Sequence, residues 1–225
     1  MIITIDGPVA TGKSTVAKKV ADSLGFVFFD TGALYRVLTY ALEQEGIDLQ
    51  EEEALANFLN QFSVDMKIQK HQRFYFYKKQ DVTEAIRARP ISLKVSEVAT
   101  SAQVRAKINT LIKELSIGVN AVFEGRDMGT VVFPEADLKI FLNGSDEIRA
   151  KRRYEEHLMK FPEDKNHYTL EKCLQDLRQR DQFDSNRSCA PLVQAEDAIS
   201  IDVSDLTADE VALEILKYKD EKKIS

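Results

Sequence analysis

Short β-branched and aromatic runs alternate along this chain with segments whose apolar positions recur every three or four residues. MIITID at 1–6 is apolar almost throughout, the pattern of a strand buried on both faces. After the glycine-rich GPVATGKS at 7–14, Val16, Val20 and Leu24 recur at helical spacing and Gly25 supplies a stop. FVFF at 26–29 predicts a second buried strand. Asp30-Thr31-Gly32 then opens a helix with the stripe Leu34, Val37, Leu38, Ala41 and Leu42, closed by Gly46. Further strands are predicted at 120–123, 138–142 and 198–201, and helices over 91–116, 146–160, 168–182 and 207–219. Strands alternating with helices imply an α/β fold: a five-stranded parallel sheet with helices on both faces.

One region breaks the alternation. Residues 63–79 read as a hairpin, with Val64, Met66 and Ile68 on one face and RFYFYKK returning after a turn around Lys70-His71-Gln72. A small antiparallel β insert in an α/β chain covers or shapes a site. Its aromatics, Phe74, Tyr75, Phe76 and Tyr77, read as packing residues rather than a base-stacking platform. The tail from 217 to 225, KYKDEKKIS, reads as a frayed helix end.

Composition narrows the class. With 225 residues, 44% of them hydrophobic, the chain is long enough for a substantial core, and a single domain over 1–225 is expected. A net charge of −6 excludes a nucleic-acid coat or an anionic-membrane binder, so no nucleic acid and no membrane is expected as partner. No stretch approaches the roughly 20 apolar residues of a membrane span, and the first residues do not read as a signal peptide. Cys173 and Cys189 are too far apart for a CxxC site, and two thiols suggest a reducing compartment. His71, His157 and His167 lack metal-ligand spacing. The expectation is a soluble, cytoplasmic chain, monomeric by default.

The candidate chemistry starts at Gly7-Pro8-Val9-Ala10-Thr11-Gly12-Lys13-Ser14, which matches G-x-x-x-x-G-K-[ST] between a predicted strand and an amphipathic helix. Such a P-loop curls so that backbone N–H groups face phosphate oxygens at a helix N-terminus. Lys13 adds a positive charge for the β- and γ-phosphates, and the Ser14 hydroxyl is the candidate Mg²⁺ ligand. A nucleoside triphosphate is the implied ligand. No N-K-x-D guanine motif is present, and no D-E pair ends a buried strand. Instead, six of the 12 arginines fall between 149 and 187. Arg149, Arg152 and Arg153 lie about one helical turn apart, and Arg180, Asp181, Asp184 and Arg187 spell R-D-x-x-D-x-x-R. A solvated salt-bridge helix is one reading of this pattern. Beside a P-loop, arginine forks suit a helical lid that closes over phosphates.

Together, GPVATGKS, DTGALYR (30–36), VSEVATSAQVR (95–105), EGRDMGTVVFP (124–134), IRAKRR (148–153) and RDQFDSNR (180–187) resemble the bacterial-type cytidylate kinases, long form, a family of nucleoside monophosphate kinases. The resemblance runs from residue 2 to about 202. It implies a P-loop kinase fold and transfer of the ATP γ-phosphoryl group to CMP or dCMP, with Mg²⁺. It assigns Gly7, Pro8, Val9, Ala10, Thr11, Gly12, Lys13, Ser14 and Thr15 to ATP. Arg36, Arg126 and Arg187 go to the CMP phosphate, and Thr31 is also assigned to CMP. Ser96, Arg105 and Asp127 go to cytosine, and Arg180 and Asp184 to the ribose. Arg149 and Arg153 go to the transferring phosphoryl group, in a catalytic set with Lys13, Arg126 and Arg187. The CMP-binding region spans about 31–116, with its β insert at about 63–88, and the lid about 148–188. Two departures stand out: Thr11 where the family commonly has Ala, and 161–168 (FPEDKNHY), which follows no pattern.

Two rivals remain open on the residues alone. One is a P-loop kinase acting on another monophosphate or a small metabolite. The other is a nucleotide-sensing module, against which the arginines argue, since a sensor needs no transition-state clamp. Asp30-Thr31 also fits a plain helix N-cap, Ser96 a neutral helical serine, and Arg126-Asp127 a pair with each other.

Overall fold

The computed structural model describes residues 1–69 and 72–222. In chain order the elements are β1 (Ile2–Asp6), α1 (Lys13–Leu24), β2 (Val27–Asp30), α2 (Thr31–Glu45), α3 (Glu52–Gln61), β3 (Asp65–Gln69), β4 (Gln72–Tyr77) and β5 (Gln80–Asp81). There follow α4 (Arg89–Val98), α5 (Ala102–Leu115), β6 (Ala121–Gly125), β7 (Leu138–Asn143), α6 (Asp146–Lys160), α7 (Leu170–Asn186), β8 (Ile199–Asp202) and α8 (Ala208–Lys222). The chain forms two compact units, Met1–Phe29 with Gly118–Ser225, and Asp30–Ile117.

The first unit is built on a five-stranded sheet in the order β2-β6-β1-β7-β8. The strands run parallel, with Ile2 opposite Ala121, Ile3 opposite Leu138 and Ile140 opposite Ile199. This is the expected five-stranded α/β sheet. β1 lies at its centre with both faces buried: Ile3 and Ile5 on one face pack among Val122, Leu138, Ile140 and Leu142, and Thr4 and Asp6 on the other are buried as well. Each such apolar side chain contributes roughly 1.5–3 kcal/mol on burial. Val16, Ala17, Val20 and Ala21 of α1 and Val211, Ala212 and Ile215 of α8 cover one side. Phe29, Phe123 and Phe133 pack with ring centroids 4.6 and 4.5 Å apart.

α6 and α7 pack against one another and are joined by a 3-10 turn, Pro162–Asn166. The patternless stretch 161–168 is closed by local contacts. His157 Nε2 lies 2.7 Å from Asp164 Oδ2, and the His157 ring sits 4.4 Å from Tyr168 and 5.1 Å from Phe161. The Cys173 thiol donates to the Ala150 carbonyl at 3.4 Å, and Arg178 binds Asp146 and Glu147 at 2.8 Å each. Cys173 and Cys189 are both free thiols. No helix among the described residues is long and apolar enough to cross a membrane.

The second unit holds α2 to α5 and the antiparallel sheet β3-β4-β5. Three expectations are corrected here. The single helix over 91–116 is two helices, because the Ser101 hydroxyl caps a new start by accepting from Val104 N–H at 3.4 Å. The Thr100 hydroxyl takes up the Glu97 carbonyl at 2.6 Å where the first helix ends. α3 was not foreseen; its apolar positions contribute only two buried residues, Leu55 and Leu59. The hairpin carries a third short strand, β5. Met66 pairs with Tyr75, whose ring is buried, whereas Ile68, opposite Arg73, is 49% exposed, so the predicted apolar face stops short. Phe62 and Tyr77 stack at 6.0 Å and Lys67 Nζ sits 4.8 Å from the Phe76 ring, which suits packing aromatics. Lys70 and His71 of the expected turn and residues 223–225 of the tail lie outside the described residues; α8 continues to Lys222.

Candidate active site

The loop between β1 and α1 begins at Gly7, where the backbone turns to φ 148° and a Cβ would lie 2.1 Å from the Leu142 carbonyl oxygen. Only glycine fits there, so the centre strand can leave the sheet at once. Gly12, at φ 82°, caps α1 in the left-handed region and starts the helix at Lys13. Ser14 and Thr15 lie exposed in its first turn. The Lys13 side chain is buried, its Nζ donating to the Pro8 carbonyl and to Thr11 Oγ1 at 3.3 Å; Thr11 Oγ1 in turn donates to Pro8. Burial and then the Arg126 charge pull the Lys13 ammonium down to about 7, against the opposing pull of Glu124, Asp6 and Asp181.

Next to the loop, β6 pairs with β1 and brings Glu124 opposite Ile5. The Ser14 hydroxyl donates to Glu124 Oε1 at 2.7 Å. A hydroxyl and a buried carboxylate are hard oxygen donors that fit Mg²⁺. Among the described residues no group of three or more His, Cys, Asp or Glu side chains could hold a metal. Sequence reading passed over Glu124 because it searched for a D-E pair. Its usable signal was a lone acid next to the last residue of a buried strand.

The Gly125–Gly129 turn is held by Asp6, whose carboxylate accepts from Met128 N–H at 3.0 Å and Gly129 N–H at 2.7 Å. Burial raises the Asp6 carboxyl to about 6; Asp127 pushes the same way, while the two N–H bonds and Lys13 resist. Arg126 and Asp127 do not pair with each other. Arg126 Nε donates to Asp184 Oδ2 at 2.9 Å, and Arg187 Nη2 donates to Asp127 Oδ1 at 3.2 Å. Arg180 approaches Asp184 at 3.4 Å, one turn away on α7. Burial alone would raise Asp184, but Arg126, Arg180 and Arg187 outweigh it and hold the carboxyl low. Burial likewise opposes the Arg126 charge, and Asp184 with Glu124 and Asp181 overcomes it. Arg180 is lowered by burial and by Arg126. The cluster therefore gathers three guanidiniums onto two carboxylates beside the P-loop lysine, an arrangement prepared for added negative charge.

A model of the cytidylate kinase family matches residues 3–221. The chain belongs to the cytidylate kinase family. Among its relatives are the cytidylate kinases of Protochlamydia amoebophila, 56% identical over 98% of this chain and 96% of that one, and of Bacillus subtilis, 44% identical over the same shares. A crystal structure of an uncharacterised protein from Eubacterium ventriosum is similar over 98% of both chains, with TM-score 0.50 and 13% identity, a likeness of fold alone.

The remaining cytidylate kinase motif residues distribute as follows. Arg149 is 3% exposed and donates to the Gly144 and Val9 carbonyls, Asp181 and Asp146. Arg152 donates to the carbonyls of Val203, Ser204 and Leu206, which makes it a staple for the loop after β8. Arg153 is half exposed and 3.6 Å from Glu156. In the second unit, Asp30 is the N-cap of α2, its carboxylate accepting from Ala33 N–H at 3.0 Å, and Thr31 is buried in the first turn. Arg36 Nη1 donates to Ser92 Oγ at 2.7 Å. Arg105 is 2% exposed, donates to the Ala99 carbonyl at 3.2 Å and lies 5.5 Å from the Tyr35 ring. Ser96 lies on α4.

Proposed function

We propose that the chain transfers the γ-phosphoryl group of ATP to CMP or dCMP, giving ADP and CDP or dCDP. The observation that carries this reading is the crossed pairing of Arg126 with Asp184 and Arg187 with Asp127 next to Lys13, in a chain of the cytidylate kinase family. Residues 7–15 bind ATP, with Lys13 on the β- and γ-phosphates. Ser14, with Glu124 behind it, would hold Mg²⁺, which would supply charge neutralisation for the phosphates. Thr31, Arg36, Ser96, Arg105, Arg126, Asp127, Arg180, Asp184 and Arg187 are the residues assigned to CMP. Arg149 and Arg153 belong to a lid over 148–188, and residues 31–116, with the insert 63–88, form the CMP-binding region.

The nucleophile is an oxygen of the CMP phosphate, largely ionised at neutral pH because its second pKa is about 6. No general base is required. Arg126 uses Nε on Asp184 and Nη1 on the Gly125 carbonyl, so its Nη2 remains for a phosphate oxygen. Phosphates entering the cluster meet guanidiniums already oriented by carboxylates, so little reorganisation is left for the transition state. Two free thiols favour a reducing compartment, and we assign the enzyme to the cytoplasm as a monomer.

The test is coupled ADP release with CMP, dCMP, UMP, AMP and shikimate as acceptors. Cytosine offers an amino donor where uracil has a carbonyl, and Asp127 with Arg105 favours the former. CMP is therefore expected over UMP by at least about tenfold to a hundredfold in kcat/KM. Asp127→Ala should erode that ratio mainly by losing CMP turnover. Faster turnover of UMP or shikimate than of CMP refutes the assignment, and an unchanged ratio in Asp127→Ala removes Asp127 from base reading.

A further inference from the structure

The Val9 backbone is gripped on both sides by side chains of α6 and α7. Its N–H donates to Asp181 Oδ1 at 2.9 Å, and its carbonyl accepts from Arg149 Nη1 at 2.7 Å. The same Nη1 donates to Asp181 Oδ2 at 2.6 Å, so the two side chains close a ring with the Val9 backbone. Arg149 is anchored in turn, by Nε on the Gly144 carbonyl at 3.0 Å and Nη2 on Asp146 at 2.6 Å. Asp181 thus has a different task from Asp184, which faces Arg126 and Arg180.

The next residue explains why such a grip is needed. Ala10 sits at φ 61°, in the left-handed region. For a residue with a Cβ that region is disfavoured by about tenfold in population. The Val9 carbonyl belongs to the peptide that joins Val9 to Ala10, so fixing its direction restrains the rotation that would let Ala10 relax. A loop held away from its own minimum needs an outside hold, and the Arg149–Asp181 pair supplies one.

We propose that Asp181 is a positioning residue for phosphoryl transfer: through Arg149 and the Val9 backbone it keeps the phosphate loop in its left-handed Ala10 form. This rests on the ATP-dependent kinase reading, which turnover by the unaltered enzyme tests separately. Asp181 touches no reacting atom in this role. Its charge also lies close enough to Lys13 and Arg126 to favour their protonated forms, and the test must separate that effect from the loop.

The experiment is a double-mutant cycle of Asp181→Ala with Ala10→Gly, read as kcat/KM for ATP and KM for CMP. Asp181→Ala should lower kcat/KM for ATP by about tenfold to a hundredfold, with KM for CMP within about twofold. Glycine accepts the left-handed region without penalty, so adding Ala10→Gly to Asp181→Ala should recover roughly five- to tenfold. The same change in the unaltered background should gain less. A charge effect on Lys13 would not be repaired by glycine at residue 10, and a loss of fold stability is separated by thermal melts of the four proteins with kcat/KM corrected for the folded fraction. Asp181→Asn keeps the shape and one acceptor oxygen, and carries the same cycle if the alanine variant does not fold. The proposal is overturned if kcat/KM for ATP is unchanged in Asp181→Ala, or if Ala10→Gly has the same effect in both backgrounds.

Discussion

Lys13 should take up a proton when ATP binds. Its ammonium is buried beside Arg126 and sits at about 7 instead of the usual 10.5. At pH 8 a group of that pKa is charged in only about a tenth of molecules, and at pH 6 in about nine-tenths. ATP phosphates around Nζ would restore the charged form, so binding should take up protons at pH 8, and more of them there than at pH 6. At pH 8 the nucleotide is fully ionised and Asp6, at about 6, is ionised as well, which isolates the lysine. The assay is calorimetric titration of Mg-ATP in buffers of different ionisation enthalpy, whose slope gives protons taken up. Lys13→Arg, charged throughout, should bring the slope near zero. A slope near zero at pH 8 in the unaltered protein, or one untouched by Lys13→Arg, refutes the reasoning. The same shift has a stability counterpart without nucleotide. Between about 7 and 10.5 the unfolded chain holds the proton that folded Lys13 has lost, so stability should rise with pH across that window.

Two further outcomes follow from the geometry. Gly7→Ala would put a Cβ 2.1 Å from the Leu142 carbonyl oxygen, so ATP binding should be lost and Tm should fall, measured by calorimetry and thermal melts; near-normal binding would show that the loop can leave β1 by another path. Glu124→Gln keeps an acceptor for Ser14 Oγ but withdraws the charge behind it, so the Mg²⁺ concentration for half-maximal activity should rise about tenfold or more, and an unchanged Mg²⁺ dependence would remove Glu124 from the ion's surroundings.

Much of this was legible in the chain because it depends on neighbours in sequence. A run such as MIITID can bury both faces only between other strands, and β1 does lie between β6 and β7. Gly7, Gly12, Gly25 and Gly46 marked loop and helix ends, since positive φ is a local property that glycine alone takes without strain. The break at Ala99–Ser101 was as local, but the apolar period runs through it and hid the cap at Ser101. α3, with two buried residues, left too thin a pattern to read.

Pairing was decided elsewhere. Arg126 and Asp127 are adjacent in sequence, yet the first takes its partner from α7 and the second from the residue that caps its C-terminus, 58 and 60 residues away, because the turn at Gly125 lies beside that helix end. Arg149 and Arg152 share one helix and one residue type, but the first grips the phosphate loop and the second a distant carbonyl cluster. The sheet, the P-loop and the supply of arginines are written along the chain, since these follow from periodicity, glycine and charge. Which carboxylate each arginine meets is settled by folding, because an ion pair in a low-dielectric interior is set by what packing brings within about 3–4 Å, not by order along the chain.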